Sequence, residues 1–128
     1  MKIHLRNEIQ IDEETEIILQ TFDVTVQEKK NFTYLIYHND EGEKVVLKLD
    51  QDELVMTRFS DPKSIMRFVR AEDAIVTVPT PMGLQHLVTR THQLVFDKKN
   101  QNVLLHYDLK PLDGNQLFAS YQMMISWQ

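Results

Sequence analysis

The sequence predicts an all-β protein: a small antiparallel up-and-down (meander) β-barrel of roughly eight to ten strands, with residues 1–128 forming one domain. Three observations lead there. Apolar residues recur at every second position through about ten segments, the period of a half-buried strand. Polar turns of a few residues join those segments, as a meander requires. No stretch sustains the 3.6-residue period of a long helix. A meander of this many strands twists, and closing it removes two exposed edges. A two-sheet sandwich is the alternative, but its crossovers need longer connections than most of these.

Each element has its own warrant. Ile3, Leu5, Ile9 and Ile11 alternate with polar residues and make the first strand, with Asn7 as a polar lapse on its inner face. Asp12-Glu13-Glu14 is a polar turn, or the cap of a short helix through Ile17 to Leu19. The alternation of Ile18, Phe22, Val24 and Val26, which share a face with Gln20, favours one strand over Thr15–Gln27. Glu28 to Asn31 is a hairpin tip, and Phe32–Tyr37 is an apolar strand with aromatic residues on both faces. Asn39-Asp40-Glu41-Gly42 is a turn. Val45, Leu47 and Leu49 alternate next, then Leu54, Met56 and Arg58 after a turn at Asp50-Gln51-Asp52.

Ser60–Arg70 is ambiguous. Ser before Asp-Pro can open a helix, yet Ile65–Arg70 also reads as a strand, and the β surroundings favour it. Ile75–Val78 is a short strand. Pro79 to Gly83 turns the chain into its longest extended run, Gly83–Phe96, which is rich in β-branched and aromatic residues. Asp97–Asn102 turns again. Val103, Leu105, Tyr107 and Leu109 alternate, Pro111–Asn115 is the last hairpin, and Leu117 to Trp127 alternate to the end.

Composition narrows the function classes. A 42% hydrophobic fraction suffices for one core, and a net charge of −5 with no Lys/Arg run argues against nucleic acid as a partner. The chain has no cysteine, which removes disulfides, thiolate metal sites and cysteine nucleophiles. Met1–Arg6 carries no apolar signal region and no window suits a membrane helix, so a cytoplasmic location without membrane attachment is expected.

Several fragments fall in a characteristic order: Leu54-x-Met56-x-Arg58, Met66-x-Phe68, Thr80-Pro81-Met82-Gly83, Thr89-x-Thr91, Tyr107-Asp108-Leu109 and Met123-x-Ile125-x-Trp127. Their order and spacing resemble the YwiB-like family of small uncharacterised bacterial proteins across nearly the whole chain. The resemblance implies a calycin-like barrel, of the lipocalin or streptavidin type, and implies no activity. Ser60 stands where that family usually has Gly.

The long strand has two faces to choose between. With Leu84, Val88, Leu94 and Phe96 inward, His86, Arg90 and His92 are buried too, which is costly for basic side chains. With Leu87, Thr89, Thr91 and Val95 inward, those three reach water, and a bulge near His92 or Gln93 returns Leu94 and Phe96 to the core. The second arrangement is favoured, and the resemblance supports it for the first half.

Four residues are candidates for a ligand site. Arg58 shares phase with the inward Leu54 and Met56, and its donor fork suits a carboxylate or phosphate. A carboxylate partner at a strand end explains it equally. Thr89, Thr91 and Tyr107 offer hydroxyls to a partly polar lumen, or simply pair across strands. A void of roughly 300 Å³ or more with Arg58 at its wall would favour a ligand. Met56, Met66, Met82, Met123 and Met124 are adaptable fillers for a core or cavity. His4, His38, His86, His92 and His106 form no spaced ligand set, so no metal and no cofactor is expected. No nucleophile or phosphate-loop motif appears. The expectation is a non-enzymatic barrel with a small amphipathic or apolar ligand in its lumen; the alternative is a filled barrel that meets a protein partner through surface residues such as Arg70, Arg90 and His92.

Overall fold

A computed structural model describes residues 1–113 and 116–128. Eleven strands form one antiparallel sheet: β1 Lys2–Ile11, β2 Glu14–Asp23, β3 Thr25–Lys29, β4 Phe32–His38, β5 Lys44–Leu49, β6 Glu53–Arg58, β7 Ser64–Val69, β8 Asp73–Thr80, β9 Gly83–Asp97, β10 Asn102–Pro111 and β11 Ala119–Trp127. The spatial order is β2-β1-β11-β10-β9-β8-β7-β6-β5-β4-β3. Each strand from β3 to β10 lies beside its successor in sequence, and the last strand pairs with the first, Ile3 opposite Trp127. The expected meander and its curl into a barrel are therefore present, and no helix occurs among the described residues.

The strand count exceeds expectation because one predicted strand is two. The run Thr15–Gln27 bends at Val24, whose N–H donates to the carbonyl of Met1 at 3.0 Å. Before the bend it pairs with β1; after it, with β4. This one bent ribbon supplies both ends of the sheet, so the barrel is nearly closed. The edges that closure should remove persist along β2 and β3.

The core follows the alternation. Ile3 and Leu5, Leu35 and Tyr37, Val45, Leu47 and Leu49, Leu54, Phe68, Val103, Leu105, Ile125 and Trp127 are all buried. Within Ser60–Arg70 the ambiguity is settled in favour of a strand, Ser64–Val69: β7 turns Ser64 and Phe68 inward and Ile65 out. Burial of its own apolar face against β6 and β8 outweighs the helix-opening signal of Ser-Asp-Pro. The turn expected at Pro111–Asn115 has its centre, Gly114 and Asn115, outside the described residues, and the final strand starts at Ala119, leaving Leu117 and Phe118 exposed.

The long strand takes the second arrangement. Leu87, Thr89 and Thr91 are buried, His86, Arg90 and His92 exposed, and Leu94 and Phe96 buried again. The bulge that changes phase sits at His92: Tyr107 faces Thr91 and its neighbour His106 faces Gln93. Val95, expected inside, points out, because the bulge that turns Leu94 inward must turn Val95 the other way. Met82 and Met124 are also exposed, so only Met56, Met66 and Met123 serve the core.

Candidate functional site

The four candidate residues divide into two places. Arg58 ends β6, and alternation from the buried Leu54 through Met56 carries it onto the inner face where the barrel opens. Its side chain emerges half-exposed at the rim. Guanidinium Nε lies 3.8 Å from Glu43 Oε1. Glu43 is in turn fixed by the β4–β5 turn: the Asn39 side-chain amide donates to Glu43 Oε1 at 3.1 Å, and Asn39 Oδ1 accepts the N–H groups of Glu41 and Glu43. An Asn at this position closes the turn on itself and aims the carboxylate at Arg58.

Arg58 stands at the wall of an open cavity of about 270 Å³, bounded by Gln20 and Phe22 of β2, Tyr37, Val45 and Met56 beneath, and Asn39 to Glu41 at the lip. The volume lies a little below the ~300 Å³ at which small-molecule pockets commonly begin. Its floor is apolar and aromatic. Phe22 stacks on Tyr37 with centroids 5.2 Å apart, joining β2 to β4. Burial pushes the Tyr37 hydroxyl up to about 12. The lip is acidic, since Asp40, Glu41 and Glu43 surround a single guanidinium.

Thr89, Thr91 and Tyr107 lie elsewhere, on the inner wall made by β9 and β10. Thr91 and Tyr107 are direct cross-strand partners, and Tyr107 faces Tyr121 on β11. The Tyr107 ring stacks on Tyr121 at 4.6 Å and tilts against Phe68 at 4.4 Å. Burial, with the neighbouring Tyr121, pushes the Tyr107 hydroxyl up, and burial pushes Tyr121 the same way. Thr89 is fully buried and its hydroxyl donates to the Arg67 carbonyl at 2.6 Å. Thr91 Oγ1 is buried without a hydrogen-bond partner among the described residues, as is Asn7 Oδ1 on β1. None of the three lines the Arg58 cavity.

Phe22, Tyr37 and Gln20 complete the cavity, and Glu43 answers Arg58. Phe22 and Gln20 had declared their inward phase in the sequence; Glu43 had not, because a turn residue has no alternation to read. On the outer face Arg90 grips Asp73 through two bonds of 3.0 Å, which holds the Asp73 carboxyl below the usual range. His92 Nε2 lies 2.7 Å from Asp108 Oδ2 and its ring lies 5.0 Å from that of His106. Among the described residues no group of three or more His, Cys, Asp or Glu is placed to hold a metal, and no helix is long and apolar enough to cross a membrane.

The family described as Domain of unknown function (DUF1934) matches residues 3–125. The crystal structure of ywiB protein from Bacillus subtilis is similar over 99% of this chain and 90% of that one, with a TM-score of 0.78 at 21% identity, a likeness that carries the fold. No curated protein matches the chain.

Proposed function

The chain belongs to the family of the domain of unknown function DUF1934, and from the geometry of its open end we propose that it is a non-enzymatic, cytoplasmic barrel that binds a small amphipathic ligand at the Arg58 mouth. One observation carries the reading. The half-buried Phe22 and Met56 face the cavity over the buried Tyr37 and Val45, with a guanidinium at the wall. Apolar floors with a few polar groups at the rim are the usual form of small-molecule sites. The ligand's apolar body rests on the Phe22–Tyr37 stack, and its polar head meets Arg58. The acidic lip disfavours a bare carboxylate or phosphate and favours a head group that also carries positive charge. Thr89, Thr91 and Tyr107, on the β9–β10 wall, are no part of its contact surface.

Native mass spectrometry of protein purified from its own host tests this. A retained small molecule is expected, and Arg58→Ala is expected to abolish retention with the far-UV spectrum unchanged. A bare mass across repeated preparations overturns the proposal; loss of fold in Arg58→Ala assigns the residue to structure instead.

A further inference from the structure

β2 is a ten-residue edge strand paired on one side only. The β4–β5 turn reaches only the level of Gln20 and Phe22. From there to Glu14, no strand is hydrogen-bonded to its other side among the described residues. The direction of its free groups follows from one bond. Val24 N–H points to Met1 on the β1 side. N–H and C=O groups alternate sides along a strand, so even-numbered residues of β2 serve β1, and Thr15, Ile17 and Leu19 present theirs to the open edge. Natural edges are commonly blunted by lysine, proline or a bulge. This one has none of these, and it leaves Ile17 50% and Leu19 72% exposed.

The charge around the edge selects an occupant. Glu14 and Glu16 lie on β2, Asp12 and Glu13 at its tip, and Asp40 and Glu41 across the gap. β2 itself, ETEIILQTFD, carries acidic charges and no basic one. A second copy docking β2 against β2 sets acid against acid. We infer that the open edge of β2 receives an extended, basic and apolar segment of a partner protein by strand addition. Its backbone bonds to Thr15, Ile17 and Leu19; its Lys or Arg side chains meet the surrounding carboxylates; its apolar side chains cover Ile17 and Leu19. This stands independently of the small-molecule reading, since it asks nothing of Arg58.

A blocked decapeptide of alternating Lys and Val, with alternating Glu and Val as control, tests it on the full chain by NMR titration. The Lys-Val peptide is expected to shift and protect the Ile17 and Leu19 amides and to bind at least tenfold more tightly than the control. Ile17→Pro removes an edge-facing N–H and spares the β1 ladder, so it is expected to weaken binding at least tenfold with the melting temperature nearly unchanged. Should that variant fold poorly, the pair Glu14→Lys and Glu16→Lys is expected to reverse the preference toward the Glu-Val peptide. Equal binding of both peptides, shifts confined to other strands, or a dimer broken by Glu14→Lys and Glu16→Lys would overturn the inference.

Discussion

Thr89 and Thr91 are two residues apart, both buried, and opposite in what their hydroxyls do. Thr89 donates to the Arg67 carbonyl, while Thr91 has no partner among the described residues. A satisfied buried hydroxyl stabilises modestly, and an orphaned one costs its lost hydration. Thr89→Val is therefore expected to destabilise by about 1–2 kcal/mol, and Thr91→Val to stabilise by about 1 kcal/mol, in urea unfolding. Tyr37 makes a pH prediction. Its hydroxyl ionises near 10 in the unfolded chain and only near 12 when folded. A raised folded value means the contribution is complete below pH 10 and is lost as pH rises toward 12. Tyr107 and Tyr121 shift in the same direction. Stability should fall through that window, and Tyr37→Phe should flatten the fall.

The informative element is β9, where a single extra residue decides which side chains are inside. With His92 in place, Thr91 and Leu94 are both buried on a strand whose strict period would separate them. Removing His92 shortens the step from Thr91 to Leu94 to two residues, so a regular strand keeps Leu87, Thr89, Thr91, Leu94 and Phe96 on the inner face. Deletion of His92 should therefore remove the bulge and retain a cooperative thermal transition. His92→Ala keeps the bulge and loses the exposed contacts to Asp108 and to the His106 ring, so it should cost less than about 1 kcal/mol. Loss of the cooperative transition in the deletion, with His92→Ala little affected, would show that the bulge itself is needed for the sheet to curl.

At the scale of the molecule, closure is the long-range event. Ile3 meets Trp127 and Gln10 meets Ser120, so the sheet cannot close before both termini are in place. The chain's single tryptophan lies in that closing strand, buried and tilted against Phe96 at 6.1 Å. Sheets built from distant pairings fold slowly, in about milliseconds to seconds. Trp127 fluorescence should reach its native value in the same phase as the far-UV signal. An earlier tryptophan phase would mean that the β1–β11 seam forms ahead of the meander.

Much of this architecture was legible in one dimension. Period-two alternation identified the β segments, short turns ordered the meander, and the cost of burying Arg90 and His92 chose the face of β9 and demanded its bulge. Those inferences rest on local geometry and on the desolvation of neighbours in sequence, which a sequence carries by itself. The bend at Val24, the surviving edge of β2, the outward turn of Val95, and the parting of Arg58 from Thr89, Thr91 and Tyr107 were not legible. Each depends on where strands remote in the chain come to lie around the barrel, and alternation tells which side of a wall a residue occupies, never how far along the wall or how close to the mouth.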